Sequence, residues 1–177
     1  MKEKAQEIDS IQLKAATLRF IHNDIMNHYP TKEAALIPVL HAIQDDLGWI
    51  SPAAMAWVSS YLALPLARIL GVVSFYTMFR RAPAGRYRLE ICTNLSCSLL
   101  GGEHLRDHLS ERLGIKPGET TADGLFSLHE VECLGSCGTA PVMLVNNEFH
   151  ENLDPTKVDL LLSQLKQQAE AVPEEAR

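Results

Sequence analysis

Cys92, Cys97, Cys133 and Cys137 are the residues whose type and spacing bear most directly on chemistry, and they are the only 4 cysteines in the 177-residue chain. They fall into two close pairs, Cys-x4-Cys and Cys-x3-Cys, far apart in sequence. Thiolate is a soft ligand that suits iron–sulfur clusters and zinc. Four thiolates, two on each iron, complete the coordination of a 2Fe–2S unit. The expected arrangement puts Cys92 and Cys97 on one iron and Cys133 and Cys137 on the other. Leu134-Gly135-Ser136 and Gly138 let the second loop curl and aim its amides at sulfur. Three other readings stay open on spacing. Structural zinc also takes four thiolates, although its knuckles favour Cys-x2-Cys. The thiols can be inert and buried. A thioredoxin-type dithiol would want Cys-x-x-Cys, which the chain lacks.

The elements that must position these residues begin at a change of pattern, Arg81-Ala82-Pro83-Ala84-Gly85. Beyond it Tyr87, Leu89 and Ile91 alternate with Arg86, Arg88 and Glu90, the mark of a half-buried strand that ends just before Cys92. Cys97 is expected in a loop, followed by a helix carrying Leu100, Leu105, Leu109 and Leu113. A turn at Thr121 to Gly124 leads to a second strand, Phe126 to Val131, and then to the loop of Cys133 and Cys137. A third strand from Pro141 to Val145, a hairpin at Asn146-Asn147 and a fourth strand, Glu148 to His150, precede a helix capped by Asp154-Pro155. A right-handed crossover makes the first two strands parallel. Both cysteine loops then leave the same C-terminal edge, where α/β layers place their sites.

The first half reads as helices. Ile8, Ile11, Ala15, Leu18 and Ile25 are expected on one face until Pro30. Leu36, Val39, Leu40, Ile43 and Leu47 form a second helix, which Pro38 should kink or start late. Ser51-Pro52 opens a third helix, and Pro65 a short fourth. Ser74 to Phe79 is apolar enough to be core, and its position at the domain junction also permits a role against a partner. The fold class is therefore α+β: an N-terminal helical bundle over 1–80, then a thioredoxin-like α/β domain with a mixed sheet over 81–177.

Composition narrows the function. The chain is 46% hydrophobic with a formal net charge of −6, which disfavours nucleic acid as a partner. It shows no basic run for a membrane surface, no apolar stretch of spanning length and a polar N-terminus unlike a secretory signal. A cytoplasmic location follows, and there a disulfide framework is not expected. Gly101-Gly102 is too little for a nucleotide site. The 7 histidines make no close pair beside the cysteines and read as surface or capping residues.

Three segments carry a resemblance: Cys92-Thr93-Asn94-Leu95-Ser96-Cys97, Gly118 to Gly124, and Glu132-Cys133-Leu134-Gly135-Ser136-Cys137-Gly138-Thr139-Ala140-Pro141-Val142. Together with Ile37-Pro38-Val39-Leu40, Gln44, Gly48-Trp49-Ile50 and Val73 to Phe79, they resemble the small 2Fe–2S subunit of bacterial respiratory complex I, the NADH:quinone oxidoreductase. The resemblance runs from about Tyr29 to Leu165 and includes all four ligand positions. It implies an electron-transfer subunit of an oxidoreductase, located on the peripheral arm of an inner-membrane complex. One 2Fe–2S cluster would take electrons from FMN, with NADH and FMN bound by a flavoprotein partner and a larger iron–sulfur subunit carrying the path onward. The same module occurs in NAD-dependent hydrogenases and formate dehydrogenases. A free-standing ferredoxin is the rival, and the helical half counts against it because a shuttle needs only the cluster domain.

Overall fold

The structure, a computed structural model, describes residues 11–171. Ile8 and the tail from Pro173 lie outside them. The chain divides into two compact units, Met1–Pro83 and Ala84–Arg177.

The first unit is helical. It runs through α1 (Ala15–Arg19), a π-helical turn (Phe20–Ile25), α2 (Met26–His28), α3 (Leu36–Leu47), α4 (Pro52–Leu62) and α5 (Leu66–Phe75). The expected face of the first helix is corrected: Ala15 and Leu18 are exposed, whereas Ile21 and Ile25 are buried. The wide π turn explains this, because it advances the chain by more residues per turn and resets which face meets the core. In α3, Leu36, Val39, Leu40 and Ile43 are buried at helical spacing. Pro38 sits in the first turn, where a missing amide leaves no intrahelical bond unmade, so it marks a late start and not a kink. Gly48 closes the helix at φ 83°, a left-handed conformation that suits glycine. Ser51 caps α4 by accepting from the Ala54 amide at 3.0 Å.

Ser74 to Phe79 is not core as a block. Phe75 is 76% exposed and Met78 43%, and only Phe79 is buried. The helix ends at Phe75, and a turn bonding the Phe79 amide to the Tyr76 carbonyl at 3.1 Å points just one ring inward. Gln44 fixes that turn from beneath. Its amide donates to the Met78 carbonyl at 2.9 Å and its carbonyl accepts the Arg80 amide at 2.7 Å, with the side chain buried.

In the second unit β1 (Tyr87–Cys92), α6 (Leu95–Leu99), α7 (Gly102–Leu113), β2 (Phe126–Val131), β3 (Met143–Val145), β4 (Glu148–His150) and α8 (Pro155–Ala171) follow in order. The four strands form one mixed sheet in the order β2-β1-β3-β4. β1 and β2 are parallel, while β3 runs antiparallel to both β1 and β4. Leu89 lies opposite Leu128 on one side and Val145 on the other. These residues pack with Ile91, Phe126 and Met143 against Leu105 and Leu109 of α7 and Val158, Leu162 and Leu165 of α8. Arg88 and Glu90, on the alternate positions of β1, pair at 3.0 Å. Three expected boundaries move. Cys92 is the last residue of β1, Leu100 lies outside α7 and is 60% exposed, and β3 starts at Met143.

Gln44 supports a prediction. Gln44→Ala leaves the Met78 carbonyl and the Arg80 amide without this partner and should destabilise the helical unit by about 1–2 kcal/mol. Trp49 and Trp57 are the only 2 tryptophans in the chain, and both lie in this unit. Urea unfolding followed by tryptophan fluorescence therefore isolates the effect, and an unchanged midpoint would refute the role given to Gln44.

Candidate metal centre

The parallel register puts Cys92 opposite Val131, at the C-terminal end of both strands. The loop after β2 therefore begins beside Cys92 and brings Cys133 with it. Cys92 is 2% exposed, and its amide donates to the Val142 carbonyl at 3.1 Å. Cys97 is not in a loop. It lies in the one-turn helix α6, because Asn94 caps that turn by accepting from the Leu95 amide at 2.8 Å. Cys97 is 2% exposed too, and the pair is buried with Val142 against Leu134 and Ala140.

The other pair is wet. Cys133 and Cys137 are exposed, with their sulfurs 3.8 Å apart. Gly135, at φ 79°, turns its amide back to donate to the Cys133 sulfur at 3.4 Å. Cys137 opens a 3-10 turn, Cys137–Thr139.

Gly102 permits the approach of α7 to this site. A Cβ there would sit 2.7 Å from the Cys92 carbonyl oxygen and 2.9 Å from that of Cys97. Its part in the site is thus close packing.

All four thiols are free. Burial, then a hydrogen bond that the Cys97 thiol donates to the Cys92 sulfur and the nearby charges of Cys92 and Cys137, push the Cys97 thiol up to about 11, although the Val142 backbone lowers it. A thiol that burial holds protonated is one that a bound cation would convert to a thiolate ligand. Among the described residues no three His, Cys, Asp or Glu side chains gather around a single point. The sulfurs stand instead as two pairs, which is the donor set that a two-iron cluster takes.

Side chains to which the motifs assigned no separate role hold the loops. Thr93 donates to Glu130 at 2.7 Å and Asn94 to Glu132 at 3.2 Å, tying the first loop to the end of β2. Glu151 accepts from Ser136 and Thr139 of the second loop. Nothing about single carboxylates in polar loops sets them apart in the sequence. The histidine reading holds for the exposed His22, His28 and His104 and needs correction for three others. His129 is half-buried in β2, where burial lowers its pKa, His41 rests on the Phe79 ring, and His108 pairs with Asp159 at 2.9 Å.

Four free thiols stand in two pairs at the C-terminal edge of a small mixed sheet of thioredoxin-like architecture, a donor set that suits an iron–sulfur cluster or zinc. The chain belongs to the thioredoxin-like 2Fe–2S ferredoxin family, whose pattern matches residues 22–166. It is similar to an NADH-quinone oxidoreductase subunit from Mycobacterium tuberculosis, at 37% identity over 158 residues, covering 89% of this chain and 63% of the relative. A subunit of the NADH-quinone oxidoreductase of Thermus thermophilus is 43% identical over 136 residues, 76% of this chain and 75% of the relative. The chain thus spans just under two thirds of the mycobacterial relative. Among solved structures it resembles an NAD+-reducing NiFe hydrogenase in the air-oxidized state, with TM-score 0.67 and 28% identity, over 80% of this chain and 24% of that one.

The burial difference predicts an order of reactivity in the metal-free chain. With iodoacetamide at pH 8, Cys133 and Cys137 should be modified first. Cys97 should lag by on the order of a hundredfold, because its thiolate fraction is about one in a thousand. Raising the pH toward 11 should narrow the gap without closing it, because burial still shields Cys97. Mass spectrometry of labelled peptides reads the order, and early labelling of Cys97 would contradict its placement.

Proposed function

We propose that this chain is an electron-transfer subunit of an NADH:quinone oxidoreductase, holding one 2Fe–2S cluster on Cys92, Cys97, Cys133 and Cys137. The observation that carries the reading is the meeting of two free cysteine pairs at one sheet edge in a member of a 2Fe–2S family. When bound, such a cluster supplies one-electron chemistry. The chain's own residues supply the rest. Cys92 and Cys97 bind from the dry side, where Val142 and Leu134 keep water out. Cys133 and Cys137 bind from the exposed side, which a redox partner can approach. The Gly135 amide donates toward the Cys133 sulfur and offsets its negative charge.

The partners proposed are a flavoprotein subunit that binds NADH and FMN and a larger iron–sulfur subunit. Among the described residues no helix is long and apolar enough to cross a membrane. We place the chain on the cytoplasmic, peripheral arm of an inner-membrane complex. The likeness to an NAD+-reducing hydrogenase supports a second reading, a subunit of the NAD-reacting module of such an enzyme.

Each of Cys92→Ser, Cys97→Ser, Cys133→Ser and Cys137→Ser should lose or severely destabilise the cluster, since a hydroxyl is a harder and poorer ligand for iron. Purified wild-type chain should contain about two irons and two sulfides, the content of one 2Fe–2S unit. Full occupancy with an unchanged EPR spectrum in any variant removes that cysteine from the set. A zinc-loaded, colourless wild-type chain removes the whole reading.

The division of labour is also proposed: 81–177 is the cluster domain, and 1–80 serves chiefly to bind the flavoprotein. Each unit has its own apolar core. A chain starting at Pro83 should still assemble a coloured centre but bind the flavoprotein much more weakly, as read by absorbance and a pull-down. Undiminished binding, or a folded but colourless product, would overturn that division.

A further inference from the structure

The second cysteine loop is fastened at a place that contains no cysteine. Glu151 stands just past β4, and its Oε1 accepts from the hydroxyls of Ser136 and Thr139, the latter at 2.6 Å. Those two hydroxyls lie 2.7 Å apart, and the Thr139 amide donates to the Ser136 carbonyl at 3.2 Å. Ser136 lies between Cys133 and Cys137 and directly precedes Cys137. The neighbouring backbone closes the same seam. The Asn152 amide donates to the Thr139 carbonyl at 2.7 Å and the Leu153 amide to the Pro141 carbonyl at 3.1 Å. Leu153 is buried in the sheet core, and Asp154 caps α8 by accepting from the Lys157 amide at 2.9 Å. The segment 151–154 is therefore anchored at its far end, and Glu151 transfers that rigidity to the loop.

We propose that Glu151 is the positioning residue of the Cys133–Cys137 loop: its carboxylate clamps Ser136 and Thr139 so that both exposed thiols stand ready as ligands, and its charge tunes the bound cluster. This rests on the cluster reading above. The chemistry favours it in two ways. Hydrogen bonds to an ionised acceptor are roughly twice as strong as neutral ones, and the Ser136 and Thr139 hydroxyls hold this carboxyl below the usual carboxylate range, so it is charged at neutral pH. In addition, the exposed cysteine pair lacks the packing that fixes Cys92 and Cys97. An exposed loop needs its geometry from polar contacts, and groups around the ligands are what tune a metal site.

The test uses the full chain with its cluster assembled, comparing wild type, Glu151→Ala, Glu151→Gln, Ser136→Ala and the exposed-carboxylate control Glu148→Ala. The readouts are iron and sulfide content, the rate of bleaching by excess EDTA, the EPR spectrum of the dithionite-reduced protein and its midpoint potential. Glu151→Ala should bleach about tenfold faster, the equivalent of one charge-assisted hydrogen bond, and show altered g-anisotropy. Glu151→Gln, which keeps an acceptor but loses the charge, should bleach about threefold faster than wild type and titrate at a higher potential. Ser136→Ala should fall between the two in bleaching rate, and Glu148→Ala should match wild type. A wild-type rate and spectrum in Glu151→Ala would overturn the proposal. If Glu151→Ala does not fold, wild-type rates in Ser136→Ala together with an unshifted potential in Glu151→Gln would overturn it equally. A wild-type chain without iron and sulfide would instead sink the cluster reading, which metal analysis reveals before any variant is made.

Discussion

The parallel pairing of β1 with β2 is the constraint on which the rest of this unit depends. It sets Cys92 opposite Val131, so two loops widely separated in sequence leave the sheet side by side. Were the strands antiparallel, the loop after β2 would emerge at the far end, and the two cysteine pairs would lie a strand length apart. Parallel pairing in turn requires a crossover, and α7 supplies it by packing Leu105 and Leu109 on the sheet. The amphipathic pattern of one helix thus decides whether four thiols can share a site.

Bringing four thiols together carries an electrostatic cost, and the structure divides the problem. One pair is dry and ordered by packing: Cys92 and Cys97 are buried with Val142, and Gly102 allows α7 to come near their carbonyls. Burial disfavours thiolate, which is why Cys97 is pushed up in the free chain, and only cations bound between the pairs would reverse that balance. The other pair is wet, and there hydration of thiolate costs little but order must come from hydrogen bonds. Gly135, Ser136, Thr139 and Glu151 provide them.

Much of this was legible in the sequence because it rests on period and punctuation. Alternating residues in β1, the asparagine turn before β4 and the Asp154-Pro155 cap each have a local cause, and each element lies within a residue of where its pattern put it. The cysteine spacing was equally direct. Three features were not legible. The π turn at Phe20–Ile25 depends on how Ile21 and Ile25 meet the other helices, which no local pattern records. The exposure of Phe75 and Met78 follows from the turn that Gln44 holds, a contact across more than thirty residues. α6 forms around Cys97 through a single Asn94 cap, too short a helix to show a period.

The carboxylates at the site were the least visible of all, and their placement explains why. Glu130, Glu132 and Glu151 sit in or beside polar loops, where an acidic residue is the default and signals nothing. Each gains meaning only from the hydroxyl or amide opposite: Thr93 for Glu130, Asn94 for Glu132, Ser136 and Thr139 for Glu151. The first two reach from the end of β2 to the loop after β1, and the third from beyond β4 to the loop after β2. Both cysteine loops are therefore braced by a strand or segment other than the one they extend. Bracing of that kind lets the two loops keep their shape while one face stays open to solvent.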